Sequence, residues 1–158
     1  MTSPRLSLEH KRRAFHTLIT PAALYGAELW SLRQSDKRKL RTAQLKMERK
    51  LLGISLLHRW SNQHIRDTTK VVDWVQLAER KKIDWANRVR QMDESRWTKI
   101  LTTWVPYSHK RSQGNPRTRW RDSLQFTIGK DWWSISPEEY ISRRDQHATL
   151  HPSHDSDK

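Results

Sequence analysis

Residues 71–92 read VVDWVQLAERKKIDWANRVRQM, and this stretch decides the fold class. Its apolar residues recur at helical spacing and form one stripe: Trp74, Ala78, Trp85, Val89 and Met92. Lysine and arginine side chains occupy the other faces of the same helix. Such a pattern is typical of an amphipathic helix that packs against other helices. We therefore predict a helix over residues 71–92 in an all-α protein built as a small helical bundle.

The residues before this stretch predict further helices. Apolar residues from Leu8 to Ile19 recur at helical spacing, and Pro21 is expected to break or restart that helix before a second short one. Ser35 and Asp36 predict the start of the next helix, and Gly53 predicts its end. Its apolar face is expected to consist of Leu40, Ala43, Met47 and Leu51. Ser61 predicts the start of another short helix.

The C-terminal third has a different composition. Pro106, Gly114 and Pro116 stand among polar residues and predict a loop. The sequence RTRWRDSLQFTI predicts a helix that Gly129 ends, and SPEE at residues 136–139 is a capping box for a last helix that runs to about Leu150. We predict a helical region at 1–104, a basic linker at 105–116, a short basic helical unit at 117–150, and a disordered tail at 151–158.

The charge balance favours some classes of function over others. Lysine and arginine number 31 against 17 acidic residues, so the formal net charge is +14. This charge favours binding to polyanions, and no apolar stretch reaches the roughly 18 residues that a membrane span requires. Nine tryptophans can supply a core despite a hydrophobic fraction of 34%. The N-terminus lacks the apolar run of a signal peptide, so we expect an intracellular protein, in the nucleus or the cytoplasm.

Motifs for catalysis and cofactor binding are absent from the sequence. With four glycines and no cysteine, it contains no phosphate-binding glycine loop, no GxSxG nucleophile motif and no zinc ribbon. No two aspartates are adjacent, so polymerase chemistry is not expected. His147 and His151 have the spacing of helical metal ligands but lack the glutamate of HExxH, so solvated histidines are the expected interpretation. We predict no catalytic residue, metal or cofactor, and an autonomous nuclease is the weaker alternative.

Two basic clusters are candidate nucleic-acid-binding sites. The first lies on the predicted helix that ends at Gly53 and consists of Arg38, Arg41, Arg49 and Lys50. The second surrounds Trp120 and adds Lys110, Arg111, Arg117, Arg119 and Arg121. Arginine side chains suit phosphate oxygens, and a tryptophan ring can stack on an unpaired base. The alternatives are a solvated helix face for the first cluster and, for the second, a core anchor at Trp120 with solubilising arginines around it.

Four segments in order carry a resemblance to a known family. They are PAALYGAELW at 21–30, MERKLLGI at 47–54, WANRV at 85–89 followed by Arg96 and Trp97, and GNPRTRWRD at 114–122. They resemble the thumb and downstream region of LINE-type (non-LTR) retrotransposon endonuclease-reverse transcriptases, especially the RTE-like branch. The resemblance implies a thumb-like helical region that grips primer-template, and a basic segment that contacts RNA or DNA. It also implies that the fingers and palm of a parent polymerase lie upstream and are partners of this chain.

The chain departs from the family pattern at several positions. Asn87 and Arg88 replace Gly-His, Asn115 replaces arginine, Ser123 replaces aspartate, and residues 136–139 replace an AQDR-like run. The leading expectation is a non-catalytic nucleic-acid-binding fragment of a reverse transcriptase, an RNA-directed DNA polymerase. The alternative is a degenerate retroelement remnant without function.

Overall fold

A computed structural model describes residues 6–104 and 118–150 of this chain, without the side chains of 147–150. Its α-helices are α1 (Leu8–Ala14), α2 (Thr20–Ala23), α3 (Gln34–Leu52), α4 (Asn62–Thr69), α5 (Trp74–Arg90), α6 (Trp97–Thr103), α7 (Trp120–Thr127) and α8 (Pro137–Leu150). Short 3₁₀ and π turns account for the other regular structure, and no strand occurs within these two ranges. The predicted all-α class is confirmed.

The chain forms two compact units. Unit 1 comprises Met1–Ala27 and Leu32–Ala78, and unit 2 comprises Glu28–Ser31 and Glu79–Lys158. The division between them thus falls inside α5. Sequence analysis placed a linker at 105–116 instead, and residues 105–117 lie outside the described ranges, so that linker stays a prediction.

A second short helix starts at Thr20, beside Pro21, as expected, and a π-helical turn keeps the backbone helical before it. A π-helical turn at Phe15–Ile19 connects α1 to α2, and the backbone N–H of Thr20 donates to the carbonyl of Phe15. Pro21 then occupies the first turn of α2, where its missing N–H leaves no helical hydrogen bond unmade. The wider turn thus accommodates the proline by shifting the hydrogen-bond register just before it.

Helix α3 buries a different face from the predicted one. Its buried residues are Gln44, Leu45, Glu48 and Leu51. Ala43 and Met47, which the apolar pattern assigned to the core, are exposed. The polar residue Gln44 accepts a hydrogen bond from the backbone N–H of Trp74 at 2.8 Å and donates to the carbonyl of Val72 at 3.0 Å. Buried polar groups of this kind are tolerated because they are hydrogen-bonded.

Most predicted helix ends are confirmed, with one exception. Gly53 ends α3 with a φ of 74°, and the Ser61 hydroxyl accepts from the N–H of His64 at the start of α4. Ser136 caps α8 in the same way through the N–H of Glu139, and Pro137 is the first residue of that helix. Ser35 is not the N-cap of α3, because the helix already begins at Gln34.

The core of unit 2 is aromatic. Its buried residues are Ile83, Ala86, Leu124, Ile128, Trp132 and Tyr140, and Trp120, Trp133 and Ile135 pack against them. The hydroxyl of Tyr140 donates to the carbonyl of Ile83 at 2.9 Å, which ties α8 to the C-terminal part of α5. Gly129 follows α7 with a φ of 120°, as expected for a residue that ends this helix.

Candidate nucleic-acid interface

The exposed side of α3 carries a row of cations. Gln44, Leu45, Glu48 and Leu51 define its buried side, and at 3.6 residues per turn positions 39, 46 and 50 lie on the opposite side. All three are lysines, and the exposed Arg38 lies about 100° around the helix from Lys39. We call these four exposed residues the α3 ridge: Arg38, Lys39, Lys46 and Lys50. Within the described ranges, no ion pair engages any of their side chains.

Two acidic residues belong to α3: one caps the start of the helix and the other is buried. Asp36 accepts a hydrogen bond from the N–H of Arg33 at 3.2 Å and so caps the start of its own helix. Glu48 is fully buried and accepts from the hydroxyl of Thr69 at 2.6 Å. Burial raises the pKa of Glu48, and the hydrogen bond from Thr69 offsets part of that rise. The surface that α3 shows to solvent is therefore strongly positive.

Two predicted site residues on α3 are engaged within unit 1. The Nε of Arg41 donates to Asp73 at 3.3 Å, and Asp73 also receives the backbone N–H of Val75 at 2.7 Å before α5. Arg49 donates to the side chain of Asn62 at 2.8 Å. Arg41 thus contacts Asp73, the residue that caps α5, and Arg49 connects α3 to α4. Of the predicted α3 site, Arg38 and Lys50 lie on the ridge.

Sequence analysis did not assign Lys39 and Lys46 to the site. Both belong to the positively charged stretch between Asp36 and Lys50. Because the predicted apolar face of α3 was wrong, the shared exposed side of the two lysines was not recognised. Lys39 lies seven residues before Lys46, and Lys46 lies four residues before Lys50. Such spacings place side chains in one row on a helix, so they could have identified both lysines.

The dimensions of the ridge suit a phosphate backbone. Arg38 and Lys50 are twelve residues apart, so the ridge extends about 18 Å at 1.5 Å per residue. One strand of a duplex carries a phosphate about every 3.4 Å along the axis, so the ridge matches about five nucleotides. The α3 ridge can therefore contact several successive phosphates of one strand.

The second predicted cluster lies in unit 2, at the start of α7. Arg119 and Arg121 are exposed. The N–H of Arg119 donates to Asp122 at 2.9 Å, a capping contact that fixes the helix start. Lys110, Arg111 and Arg117, which sequence analysis grouped with them, lie outside the described residues.

The ring of Trp120 anchors α7 in unit 2. Its Nε1 donates to the carbonyl of Glu28 at 2.7 Å, and its ring meets that of Trp132 edge-on at 6.2 Å between centroids. The ammonium of Lys82 lies over the Trp120 ring at 5.8 Å. These contacts correspond to the anchoring role that sequence analysis weighed against base stacking.

The described part of the chain contains neither of two other kinds of site. No three histidine or acidic side chains lie close enough together there to hold a metal ion, although the side chain of His147 and all of His151 are outside that part. Among the helices described, none is both long and apolar enough to cross a membrane.

Comparison with known proteins relates the chain to a mobile element. It is similar to a Caenorhabditis elegans protein described as an uncharacterized transposon-derived protein, with 33% identity over 121 residues. The match covers 72% of this chain and 42% of the relative, so the chain spans less than half of that protein's length. No protein-family model matches the chain, and no solved structure matches it. The chain is thus similar to a transposon-derived protein, in agreement with the coarser part of the sequence-based resemblance.

Proposed function

We propose that this chain is a non-catalytic nucleic-acid-binding module of transposon origin, derived from the thumb and downstream region of a retrotransposon reverse transcriptase. The α3 ridge carries the proposal, because its four exposed cations share a helix whose two acids are buried or used in capping. Such a surface attracts polyanions. The similarity to a transposon-derived protein and the resemblance of four sequence segments support the origin.

The proposed contacts are to the phosphate backbone of RNA or DNA. Exposed lysine and arginine side chains neutralise phosphates without reading base identity, so binding is expected to be nonspecific in sequence. Arg119 and Arg121 are proposed as further phosphate contacts in unit 2, together with Lys110, Arg111 and Arg117 from the sequence-based cluster. In a longer parent polymerase, fingers and palm would be the protein partners.

The ridge can be tested by neutralising its four cations together. In the variant Arg38→Gln/Lys39→Gln/Lys46→Gln/Lys50→Gln, the slope of log K against log salt should fall in magnitude by about 3 to 4, because each lost phosphate contact removes about 0.9. Affinity for a short duplex at low salt should fall at least about tenfold. Fluorescence anisotropy over a range of salt concentrations measures both quantities.

A matched control separates the ridge from overall charge. The variant Arg13→Gln/Arg80→Gln/Arg96→Gln/Lys130→Gln removes the same four charges from exposed positions outside the ridge. We expect its salt slope to change by less than about 1. Equal losses in the two variants would mean that net charge, and not the ridge, determines binding. A wild-type chain that binds neither RNA nor DNA would refute the proposed function.

A further inference from the structure

The segment between α3 and α4 has a defined conformation and exposes apolar side chains near cationic residues. We call residues 54–60, ISLLHRW, the 54–60 tip. A 3₁₀ turn at Leu56–His58 organises it, and Arg59 follows in the left-handed region at a φ of 52°. The Nδ1 of His58 accepts from the backbone N–H of Ser55 at 3.1 Å. Together these features give the tip a defined conformation.

This conformation points apolar side chains outward. Leu56 is 77% exposed and Leu57 is 89% exposed. Trp60 is partly exposed, and its ring meets that of His64 edge-on with 4.5 Å between centroids. A pair of leucines this exposed makes no contribution to the core of unit 1. The fold thus presents an apolar wedge with an aromatic pair at its base.

The charge around the wedge is positive. From Arg49 to Arg66 the sequence contains four lysines and arginines and no acidic residue. Glu48, the nearest acid before this stretch, is fully buried. Lys50 and Arg59 are exposed on either side of the leucines in sequence. Asp67, the first acidic residue after this stretch, is exposed and accepts a hydrogen bond from the side chain of Gln63 at 2.9 Å. Exposed leucines flanked in sequence by Lys50 and Arg59 fit an anionic partner that has apolar surface to cover.

We infer that the 54–60 tip inserts Leu56 and Leu57 against unpaired bases of a nucleic acid whose backbone lies on the α3 ridge. This inference rests on the proposed function and adds the structural class of the substrate. Lys50 belongs to the ridge and also lies within the acid-free stretch that leads to the tip, so the two surfaces are continuous along the chain. Apolar side chains inserted beside bases are a known means by which proteins bind distorted or open duplexes.

Unpaired bases are favoured over a fully paired duplex by the energetic balance. Burying two leucine side chains recovers a free energy of the same order as the cost of unstacking one base step. In a paired duplex the two terms largely cancel. At a bulge or strand end the base is already free, so the cost is small and the gain is retained.

An anionic membrane fits the tip less well. One myristoyl chain gives only marginal membrane binding, and the two leucine side chains together offer about eight carbon atoms, fewer than that chain has. Nucleic acid also continues the surface that the ridge begins. Binding to lipid vesicles distinguishes the two partners.

The test compares two short duplexes of the same sequence, one fully paired and one with an unpaired bulge. Wild-type chain should bind the bulged duplex about tenfold more tightly, corresponding to about 1.4 kcal/mol. The variant Leu56→Ser/Leu57→Ser should lose this preference and keep its affinity for the paired duplex. The control Leu18→Ser changes another leucine of unit 1 that is 66% exposed, and it should keep the preference.

A second measurement needs no variant. A 2-aminopurine base in the bulge should change its fluorescence when wild-type chain binds, because its stacking changes on contact with the leucines. No change on binding would overturn the inference. Wild-type binding to both duplexes with equal affinity would also overturn it while leaving the proposed function intact.

Two further outcomes have distinct meanings. If wild-type chain binds neither duplex, the proposed function fails and the inference fails with it. If vesicles of phosphatidylcholine and phosphatidylserine bind the wild type but not Leu56→Ser/Leu57→Ser, and the bulge gives no preference, the tip is a lipid contact and the inference is wrong.

Discussion

Unit 1 combines an apolar core with several buried polar side chains that bond between its elements, whereas the core of unit 2 is richer in aromatic rings. In unit 1, Gln44 bonds to the backbone on either side of Asp73, and the indole N–H of Trp74 donates to Thr20 at 3.2 Å. In unit 2, edge-on pairs connect Trp120, Trp132 and Trp133. Helices of similar composition can thus be fixed either by directional hydrogen bonds or by ring packing.

Two lysines of unit 2 are buried beside its tryptophan rings. Lys82 and Lys99 are both nearly inaccessible to solvent, and each ammonium lies over a tryptophan ring, at 5.8 Å from Trp120 and 5.7 Å from Trp133. Rings can attract such charges through their negative faces. Unit 1 instead buries an acid, Glu48, and leaves the cations of the α3 ridge in solvent. Lys99 also pairs with Glu94 at 2.6 Å, so its charge is compensated by an acid as well as by a ring.

The largest expected effect tests the aromatic core of unit 2. Trp132 is 1% exposed, and we expect Trp132→Ala to destabilise the protein by about 3–5 kcal/mol because it leaves a large cavity. Chemical denaturation measures the loss, and hydrogen exchange should locate it in α7 and α8. Trp97, which is 76% exposed, is the control, and Trp97→Ala should change stability by less than about 0.5 kcal/mol. Similar losses in both variants would contradict the assignment of the core.

A smaller effect tests the hydrogen bonds of unit 1. The variant Gln44→Met keeps the length of the side chain but leaves the N–H of Trp74 and the carbonyl of Val72 without this partner. We expect a loss of about 2–3 kcal/mol, since each buried group left unsatisfied costs about 1–3 kcal/mol. Gln63→Met is the matched control on the exposed part of α4, where a change within about 0.5 kcal/mol is expected. A loss larger than that of Trp132→Ala would reverse the ranking of the two units.

The smallest expected effect concerns pH. Burial raises the pKa of Glu48 in the folded chain above its ordinary value, so the fold favours the protonated acid. The stability that this group contributes is present below the unfolded pKa and is lost as pH rises through the folded pKa. Glu48→Gln cannot lose a proton, and its stability relative to wild type should increase as the pH rises through that range.

Denaturation of both chains at several pH values measures this difference, and the other carboxylates cancel in the comparison. A constant difference between the two chains across the acid range would mean that Glu48 titrates normally. The hydrogen bond from Thr69 and the other favourable contacts would then fully offset desolvation.

Helix positions were predicted more accurately than helix faces. The all-α class, the glycine after α3 and the serine caps of α4 and α8 follow from local chemistry that acts within a few residues. The inner face of α3 was predicted wrongly because Gln44 and Glu48 are buried against residues 21 to 30 positions away in sequence. Local hydrophobic periodicity contains no information about such partners.

The candidate site, like the fold, could be predicted only in part from the sequence. A strong positive charge and a basic stretch at residues 36–50 are visible in the sequence alone, and they are the basis of the proposed nucleic-acid partner. Assignment of individual cations needed the fold, because Arg41 and Arg49 contact side chains on other elements while Lys39 and Lys46 face solvent.

Helical content, positive charge and helix ends can be predicted from the amino-acid sequence, because they depend on composition and on neighbours within one or two turns. The fold is needed to know which polar groups are buried, which cations remain exposed, and that Leu56 and Leu57 face solvent. The cost of burying a polar group, or of exposing an apolar one, depends on partners that only the folded chain brings within reach.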